Sequence, residues 1–407
     1  PKGVSVTHTG LANFANQEAL RLGAPDGAVV LGFASPSFDA SVLEYLLATV
    51  TGGKLAYRPA DAVGGTALVD HMRLHRVTHT FLTPSVLSPL APSQLPALQA
   101  VAAGGELVPR GLVDAWSPHT SMHNLYGPTE TTIGVTISEK MVAGDPVRLG
   151  GPIDGIRLEV LDERLRAVPL GVPGELYVTG PALSRGYLAQ SGLTASRFVA
   201  APAASGERMY RTGDVVRWRR TADEPATLEY LGRSDDQIKL RGLRIELGEI
   251  EAVLTEHHAV RSAVVGGVGE PAITALVGYV VTSEPVSVVE MRNFVGHSLP
   301  GYMVPSTIVT LNELPLTPVG KLDRTALPPV DIRDLAGEME GAATDDEATA
   351  AAVFAEVLGV DEFGVTTSFF DAGGNSLSAM RVAARVAEAL GVEVSVRDLF
   401  EAPTVRD

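Results

Sequence analysis

The sequence contains no cysteine, no long hydrophobic run and fewer basic than acidic residues. Without cysteine the chain can form no disulfide, no thiolate metal site and no cysteine nucleophile. Its 32 Lys and Arg against 48 Asp and Glu give a formal net charge of −16, which argues against nucleic acid or an anionic membrane as a partner. No apolar stretch approaches membrane-spanning length and no signal peptide precedes the first motif, so we expect a cytoplasmic protein.

The pattern of apolar residues divides the chain into regions of different texture. The 407 residues, 45% of them hydrophobic, are enough for two or three globular units. From residue 1 to about 128, strand patterns alternate with helical ones, which predicts an α/β region with a parallel sheet covered on both faces. Residues 131–230 contain short strands broken by Gly and Pro, which predicts a β-rich subdomain. Residues 236–327 have the pattern of a smaller α+β unit.

The C-terminal part begins with a segment that is acidic and rich in Pro, Gly and Ala, which is typical of a linker. The segment after it has two amphipathic helical patterns. We therefore predict four parts: a large subdomain (1–231), a small C-terminal subdomain (232–328), a linker (329–345) and an all-α domain (346–407).

The stretch 210–251 joins the large and small subdomains. Asp214 follows Thr212-Gly213, a turn expected to leave the carboxylate exposed at a strand end, where it could accept hydrogen bonds from a vicinal diol. The charged segment 232–236 has no apolar anchor, and the alternation over 238–247 predicts a hairpin. Taken by itself, this stretch could be a surface hairpin with solvated charges.

Five short strings carry candidate chemistry: PKG at 1–3, FDAS at 38–41, NLYGPTE at 124–130, LTPVGKLDR at 316–324 and DAGGNSL at 371–377. Each has an ordinary alternative. Glu130 could be a solvated turn residue, Lys321 a surface charge and Ser376 a routine helix N-cap.

Together with the stretch 210–251, these strings closely resemble the amino-acid-activating, adenylate-forming enzymes of nonribosomal peptide synthetases. The resemblance covers essentially the whole chain. It implies an α/β large subdomain with a β-rich part, a small α+β subdomain and a four-helix peptidyl carrier domain. It also implies that an amino acid is activated with ATP to aminoacyl-AMP and loaded as a thioester on a carrier-bound 4′-phosphopantetheine.

The resemblance assigns roles to individual positions. The positions that would bind ATP are Lys2, Asn124, Tyr126, Gly127, Thr129, Asp214 and Arg233. Tyr126 would stack on adenine, and Asp214 with Arg233 would hold the ribose. Glu130 would bind Mg²⁺, a hard cation that prefers oxygen ligands.

Three further positions would carry the reaction itself. Lys321 would bridge the substrate carboxylate and the α-phosphate, Asp235 would be the hinge of the small subdomain, and Ser376 would receive the phosphopantetheine. Two details depart from the family pattern. Val319 stands where Asn is usual, and Asn375 stands where carriers more often have His or Asp.

The substrate pocket follows from the same resemblance. Asp39 would pair with the α-ammonium group of an amino acid. The walls would be Ala40, Leu43, Phe81, Ala102, Gly104, Leu125, Ile133 and Gly134. None of them carries a charge or a hydrogen-bonding side chain, so we expect an apolar or aromatic substrate. Gly104 and Gly134 are expected to leave room, and Phe81 to limit it.

The chain begins in the tail of the family's phosphate loop and stops where the last carrier helix should begin, so we expect a fragment without full adenylation activity. Expected partners are a coenzyme A-dependent phosphopantetheinyl transferase, neighbouring condensation, thioesterase or epimerisation domains, and an MbtH-like protein. Two alternatives stay open: an acyl-CoA or aryl-acid ligase, against which Asp39 and the carrier argue, and a non-catalytic carrier or docking fragment.

Overall fold

The computed structural model describes residues 2–407 except for 61, 203–205, 221–224, 236, 241–242, 270–274, 317–321, 331–339, 359, 361, 370–371, 373, 375, 393, 395–397, 400–401 and 407. The side chains of 239, 244, 376, 377, 380 and 384 also lie outside this description. The chain divides into two compact units, Pro1–Asp235 and Asp236–Asp407.

The first unit contains a six-stranded sheet with the order β2-β1-β3-β4-β5-β6. Neighbouring strands are parallel except for β5 and β6. The strands are β1 (Val29–Gly32), β2 (Lys54–Tyr57), β3 (His79–Leu82), β4 (Ala100–Gly104), β5 (Ser121–Tyr126) and β6 (Thr136–Ile137). The helices are α1 (Leu11–Arg21), α2 (Ala40–Val50), α3 (Gly65–His75), α4 (Pro84–Leu87) and α5 (Arg110–Trp116).

Successive residues of these strands point to opposite faces of the sheet, and both faces are buried. Val30 and Ala102 belong to one hydrophobic cluster, while Leu31, Val101 and Met122 belong to another. Burial on both faces explains the nearly continuous apolar runs of the strands. The predicted parallel sheet covered on both faces is confirmed.

An antiparallel sheet follows in the same unit, with the order β11-β10-β8-β7 and with β9 paired to β10. Its strands are β7 (Arg157–Leu161), β8 (Gly174–Thr179), β9 (Phe198–Ala200), β10 (Arg208–Arg219) and β11 (Thr227–Arg233), and helix α6 (Ser191–Arg197) precedes β9. Leu176 and Val216 extend the hydrophobic cluster that contains Val30. The predicted β-rich part is therefore present.

The second unit begins with the predicted hairpin, in which β12 (Ile238–Leu240) pairs antiparallel with β13 (Leu243–Ile245). A sheet with the order β14-β15-β16 follows, covered by two helices. These elements are α7 (Leu247–Glu256), β14 (Val260–Val268), β15 (Ala275–Thr282), α8 (Val288–Ser298) and β16 (Thr307–Thr310). The small α+β fold is confirmed.

The C-terminal region contains helices α9 (Asp345–Leu358) and α10 (Ser376–Leu390). Phe354 of α9 packs against Phe363 and Phe369, with ring centroids 5.0 and 5.4 Å away. Most of the predicted linker falls within the undescribed segment 331–339. Across the described parts of the chain, no helix is both long and apolar enough to cross a membrane.

Candidate functional site

Tyr126 and Asp214 meet where β5 ends, the edge at which open parallel sheets bind ligands. The Tyr126 hydroxyl donates a hydrogen bond to Asp214 Oδ2. Burial and the neighbouring Asp214 carboxylate raise the pKa of Tyr126, so its hydroxyl remains protonated and can donate.

The expected exposure of Asp214 at a strand end is wrong. Asp214 lies inside β10 and is only 3% exposed. The register of β10 against β8 shifts between Arg211 and Val215, and Gly213 within this shift has a φ of +78°. The irregularity therefore lies within the strand. Thr212 secures it, because its hydroxyl donates to Leu176 O at 2.8 Å and accepts from the Asp214 N–H at 3.0 Å.

Arg233 connects Asp214 to Asp235. Its Nη1 donates to Asp214 Oδ1 at 2.6 Å, and its Nε donates to Asp235 Oδ1 at 2.8 Å. The Arg233 side chain is only 10% exposed, so the alternative of a solvated charge does not hold at this position. Hydrogen bonds between ionised groups are stronger than neutral ones, and this chain of bonds fixes all three side chains together.

Asp235 also accepts a hydrogen bond from Arg197, whose Nη2 lies 2.8 Å from Asp235 Oδ2. Burial opposes ionisation of Asp235, but the hydrogen bonds from Arg233 and Arg197 outweigh it and hold the pKa of Asp235 below its usual range. The expected hinge residue is therefore an ionised side chain held by two arginines.

Glu130 is buried, with 2% exposure, in the short turn Thr129–Thr131. The Tyr187 hydroxyl donates to Glu130 Oε1 at 2.6 Å. Burial and the neighbouring Glu130 carboxylate raise the pKa of Tyr187. The alternative of a solvated turn residue is therefore wrong for Glu130.

The surroundings of Glu130 are compatible with the magnesium ion that the resemblance implies. Among the residues that the structure describes, no group of three or more His, Cys, Asp or Glu is arranged to hold a metal ion. Mg²⁺ commonly uses one or two protein carboxylates, with phosphate oxygens and water completing its octahedron. A single buried carboxylate fits that mode of binding.

Lys2 and Gly3 lie beside the same tyrosine. Lys2 Nζ is 5.6 Å from the centroid of the Tyr187 ring, and Gly3 O accepts a hydrogen bond from Leu188 N at 2.8 Å. Tyr187 thus has the Lys2 ammonium over its ring and the Glu130 carboxylate at its hydroxyl.

Asp39 immediately precedes α2 and is near the turn that contains Thr129 and Glu130. Burial and the Glu130 charge raise the pKa of Asp39, and a hydrogen bond with the Thr129 side chain opposes them. The FDAS and GPTE strings are therefore brought together in space. A partly buried carboxylate at this position suits a cationic ligand group.

Four of the predicted pocket walls belong to one buried hydrophobic cluster: Leu43, Ala102, Leu125 and Ile133. Phe81 packs against this cluster. Ala40 is half-buried at the start of α2. The structure thus gathers these apolar walls.

The two pocket glycines do not leave open space, contrary to expectation. A Cβ atom on Gly104 would lie 2.2 Å from Leu125 O and 3.1 Å from Phe81 Cε2. A Cβ on Gly134 would lie 2.7 Å from Phe14 Cε2. The glycines allow neighbouring groups to approach closely, so the free volume beside them is already occupied.

The backbone after the GPTE string is strained. Thr132 and Ile133 have φ angles of +61° and +72°, in the left-handed region that β-branched residues rarely adopt. The Thr132 hydroxyl donates to Ala182 O at 2.6 Å. A Cβ on Gly127 would lie 2.5 Å from Gly134 Cα, so Gly127 is needed for packing whether or not it contacts ATP.

Asn124 is 5% exposed, and its side-chain Nδ2 donates to Arg148 O at 3.0 Å. Lys321 and Asn375 lie outside the described residues, and so does the side chain of Ser376. The backbone places Ser376 at the first position of α10. The roles expected for Asn124, Lys321 and Ser376 remain predictions.

Glu44 was not anticipated from the sequence. Its carboxylate accepts hydrogen bonds from the N–H groups of Phe33 and Ala34, each at 3.0 Å. These bonds tie α2 to the loop that leads from β1 to Asp39. Burial raises the pKa of Glu44 to about 7, although the two N–H groups lower it. An acid next to Leu43 in the amphipathic pattern of α2 was the available signal.

Three other contributors were missed as well: Phe14, Tyr187 and Arg197. Nothing in their local sequence marks them, because each acts on a residue distant along the chain.

Comparison with known proteins agrees with this geometry. Models of three families match the chain: "AMP-binding enzyme" over residues 1–188, "AMP-binding enzyme C-terminal domain" over 249–321 and "Phosphopantetheine attachment site" over 349–407. Novobiocin biosynthesis protein H of Streptomyces niveus is 39% identical over 410 residues, which cover all of this chain and 67% of that protein. The chain belongs to the adenylation–carrier family of nonribosomal peptide synthetases.

Other members of this family are longer. Phosphinothricin tripeptide synthetase PhsC of Streptomyces viridochromogenes is 44% identical over 414 residues, and the chain spans 38% of its length. The structure of holo-PA1221, a synthetase protein with adenylation and carrier domains bound to a vinylsulfonamide inhibitor, matches with a TM-score of 0.80 and 26% identity, covering all of this chain and 69% of that one. The chain spans as little as 5% of another matched synthetase.

Proposed function

We propose that this chain takes part in ATP-dependent activation of an amino acid to aminoacyl-AMP and in loading of the aminoacyl group on its own carrier domain. One observation carries the proposal: a continuous set of hydrogen bonds links Tyr126, Asp214, Arg233 and Asp235. This set joins the ligand-binding edge of the parallel sheet to the boundary between the two compact units. If the stretch 210–251 were only a surface hairpin, its charged side chains would be solvated, whereas those of Asp214 and Arg233 are largely buried.

The ATP end of the site uses the groups around Tyr126. Its ring would stack on adenine, and the Asp214 carboxylate would accept the ribose hydroxyls with Arg233 behind it. Thr129 would contact the α-phosphate. Glu130 would hold Mg²⁺, which when bound neutralises phosphate charge.

The chemical step is a displacement at the α-phosphorus. A carboxylate oxygen of the amino acid forms the new P–O bond, and the bond to the bridging oxygen of the β-phosphate breaks, so that pyrophosphate leaves with its electron pair. Lys321 would neutralise charge on both reacting groups. Such positioning and neutralisation contribute on the order of 10²–10³-fold in rate.

The amino-acid end is built from Asp39 and the apolar cluster. Asp39 would pair with the α-ammonium, which distinguishes an amino acid from an aryl or fatty acid. The walls offer no side-chain partner for a charge, so we assign an apolar or aromatic amino acid as substrate.

The carrier end would use Ser376 as the attachment point. Gly374, two positions before α10 begins, donates from its N–H to Phe369 O at 2.8 Å. A serine at the first position of α10 fits phosphopantetheine attachment, and the bound arm would supply the accepting thiol. A transferase, neighbouring synthetase domains and an MbtH-like protein would be the partners.

Two assays test the proposal, each on this chain and on a form extended at its N-terminus by the remainder of the phosphate loop. The chain is first incubated with coenzyme A and a phosphopantetheinyl transferase, and intact mass is recorded before and after addition of ATP, Mg²⁺ and single amino acids. Pyrophosphate exchange is measured in parallel, with and without an MbtH-like protein. Amino-acid-dependent exchange and an aminoacyl mass on the carrier support the proposal.

The alternatives give different results in the same assays. An acyl-CoA ligase would transfer its acyl group to free coenzyme A and leave the carrier mass unchanged. A carrier or docking fragment would accept phosphopantetheine but show no pyrophosphate exchange with any substrate, in the extended form as well.

A further inference from the structure

We infer that Arg197 is a positioning residue that, with Arg233, clamps the Asp235 side chain to the first unit. The joint is the point in the chain, after Asp235, where the first unit ends and the second begins. Because of the clamp, movement at this joint takes place on the C-terminal side of the Asp235 Cα. The catalytic consequence rests on the proposed function. The clamp itself rests on contacts within the first unit alone.

Both carboxylate oxygens of Asp235 are held. Oδ1 accepts from Arg233 Nε at 2.8 Å, and Oδ2 accepts from Arg233 Nη2 at 3.1 Å and from Arg197 Nη2 at 2.8 Å. The Arg233 contact is bidentate, which restricts orientation as well as position. Arg197 comes from the end of α6, 38 positions earlier in the chain, so the clamp involves two separate elements.

The backbone beside the clamp is fixed to β10. Ser234 N and Ser234 Oγ both donate to Gly213 O, at 2.8 and 3.1 Å. A Cβ on Gly213 would lie 2.6 Å from Asp235 Oδ2 and 2.7 Å from Arg233 Nη2. The Asp235 carboxylate therefore rests directly on Gly213, and a Cβ there would displace the carboxylate or the Arg233 guanidinium.

These contacts limit which bonds of the joint can rotate. With the carboxylate and the preceding residue held, the N, Cα and Cβ atoms of Asp235 cannot move independently of the first unit, so its φ angle is fixed. Rotation is left to ψ of Asp235 and to the residues that follow. The chain divides into its two compact units between Asp235 and Asp236, immediately after the clamped atoms. In hinge motions, a few residues in loops or at the ends of elements usually undergo the large changes in φ and ψ.

The partial burial of the clamp makes it stronger than an ordinary surface ion pair. The side chains of Arg197 and Asp235 are 18% and 25% exposed. Exposed pairs contribute little, because water screens the charges and long side chains lose entropy. Arg157 and Glu207 form such a pair elsewhere in the same unit, with side chains 56% and 50% exposed, and provide a matched control.

Amide hydrogen exchange tests the clamp without requiring catalysis. In Arg197→Gln, peptides covering residues 232–238 are expected to exchange about tenfold faster, as the loss of one charge-assisted hydrogen bond implies. The β10–β11 ladder outside residues 232–233 should be unchanged, and Arg157→Gln should match the wild type. Unchanged exchange over 232–238 in Arg197→Gln would overturn the inference, and so would a uniform increase across the unit.

A pair of glycine variants gives an independent test. Gly213 and Gly206 have φ angles of +78° and +82°, so an alanine would be held in a similarly unfavourable backbone conformation at both positions. Only at Gly213 does the new Cβ meet Asp235, since nothing lies within 4 Å of a Cβ on Gly206. Gly213→Ala should reproduce the faster exchange over 232–238, and Gly206→Ala should not. Identical behaviour of the two variants would contradict the clamp.

Kinetics then separate the clamp from the proposed function. In Arg197→Gln, kcat for both half-reactions should fall about tenfold while KM for ATP stays within about twofold, because Arg197 orients the joint and does not touch ATP. Arg197→Lys should recover part of the loss. A rise in KM for ATP with unchanged kcat would overturn the positioning role. Local changes in hydrogen exchange, with no pyrophosphate exchange in the N-terminally extended form, would leave the clamp standing and refute the proposed activity.

Discussion

The hydroxyl of Tyr126 donates a hydrogen bond to the carboxylate of Asp214, and this bond joins the last residue of a parallel strand to a bulged strand of the antiparallel sheet. Both residues are buried. In the proposed site, one holds adenine and the other the ribose. Their direct contact therefore fixes the spacing of the nucleoside site before ATP arrives, which reduces the entropy lost on binding.

Tyr126→Phe tests this relationship, since it keeps the ring and removes only the hydroxyl. Asp214 then loses a donor inside the protein, and the unfolding free energy should fall by roughly 1–3 kcal/mol. Urea unfolding measures this loss. Tyr45→Phe is the control, because Tyr45 is 56% exposed and should lose almost nothing. Equal stability of the two variants would show that the Tyr126–Asp214 bond contributes nothing.

The sequence predicted the layers of this fold well because they depend on local periodicity. The apolar runs of β1 and β4 predicted a doubly covered sheet, and such a sheet is present. The exposure of Asp214 was predicted wrongly, because turn propensity is local whereas its burial depends on Tyr126 and Arg233 from other strands. Side-chain partners far apart in sequence leave no periodic signal.

The pocket shows the same limit. Gly134 was expected to leave room, and the sequence alone could not show that the ring of Phe14 occupies that space. The number of neighbours around a glycine is set by tertiary packing. For the same reason the clamp formed by Arg197 on Asp235 could not be predicted.

The raised pKa of Glu44 predicts that the free energy of unfolding decreases as the pH rises. Its pKa is raised from the ordinary 4.5 to about 7 in the folded chain. Between these values the unfolded chain releases this proton and the folded chain keeps it, so unfolding becomes easier with rising pH. The free energy of unfolding should therefore fall by about 3 kcal/mol between pH 4.5 and 7 because of this group. Above about pH 7 the group causes no further change.

Urea unfolding at several pH values measures the effect. Glu44→Gln retains an oxygen acceptor for the Phe33 and Ala34 N–H groups but cannot titrate, so its profile between pH 4.5 and 7 should be flatter. Glu163→Gln, at an exposed turn position, should follow the wild-type profile. If Glu44→Gln keeps the wild-type slope, another group is responsible for the pH dependence.

Ser376 should accept one phosphopantetheine when the chain is incubated with coenzyme A and a phosphopantetheinyl transferase. Intact mass spectrometry should show one added group on the wild type and none on Ser376→Ala. Ser378→Ala, two positions further along α10 and buried, is the control and should still be modified. Modification that survives in Ser376→Ala would refute the attachment site.

Variants of Lys321 and Asp235 should affect the two half-reactions differently. These are formation of the aminoacyl-adenylate and its transfer to the carrier thiol as a thioester. Lys321→Ala should reduce pyrophosphate exchange on the order of 10²–10³-fold but largely spare transfer from pre-made adenylate, because its charge acts on the phosphate. Asp235→Pro should have the opposite bias and reduce thioester formation more than pyrophosphate exchange, because its ring restricts the backbone where the small subdomain must swing, in addition to removing the clamped carboxylate. Equal losses in both steps for both variants would contradict a small subdomain that swings about Asp235 between adenylation and thioester formation.

The last prediction concerns substrate choice. The cluster of Leu43, Ala102, Leu125 and Ile133 offers no hydrogen-bonding side chain, so a polar substrate side chain would lose roughly 1–3 kcal/mol and a charged one more. Exchange measured with single amino acids should therefore favour apolar and aromatic ones. Phe81→Ala should improve the use of the bulkiest aromatic substrates about tenfold, because the Phe81 ring fills the space over Gly104.

Asp39→Asn should weaken every amino acid similarly, because the ammonium partner is common to all of them, with a loss on the order of tenfold or more in kcat/KM. This variant thus separates recognition of the backbone from recognition of the side chain. A wild-type preference for Asp, Glu, Lys or Arg would show that the apolar cluster is not the pocket. If Phe81→Ala changes all substrates equally, Phe81 supports the fold without touching the substrate side chain.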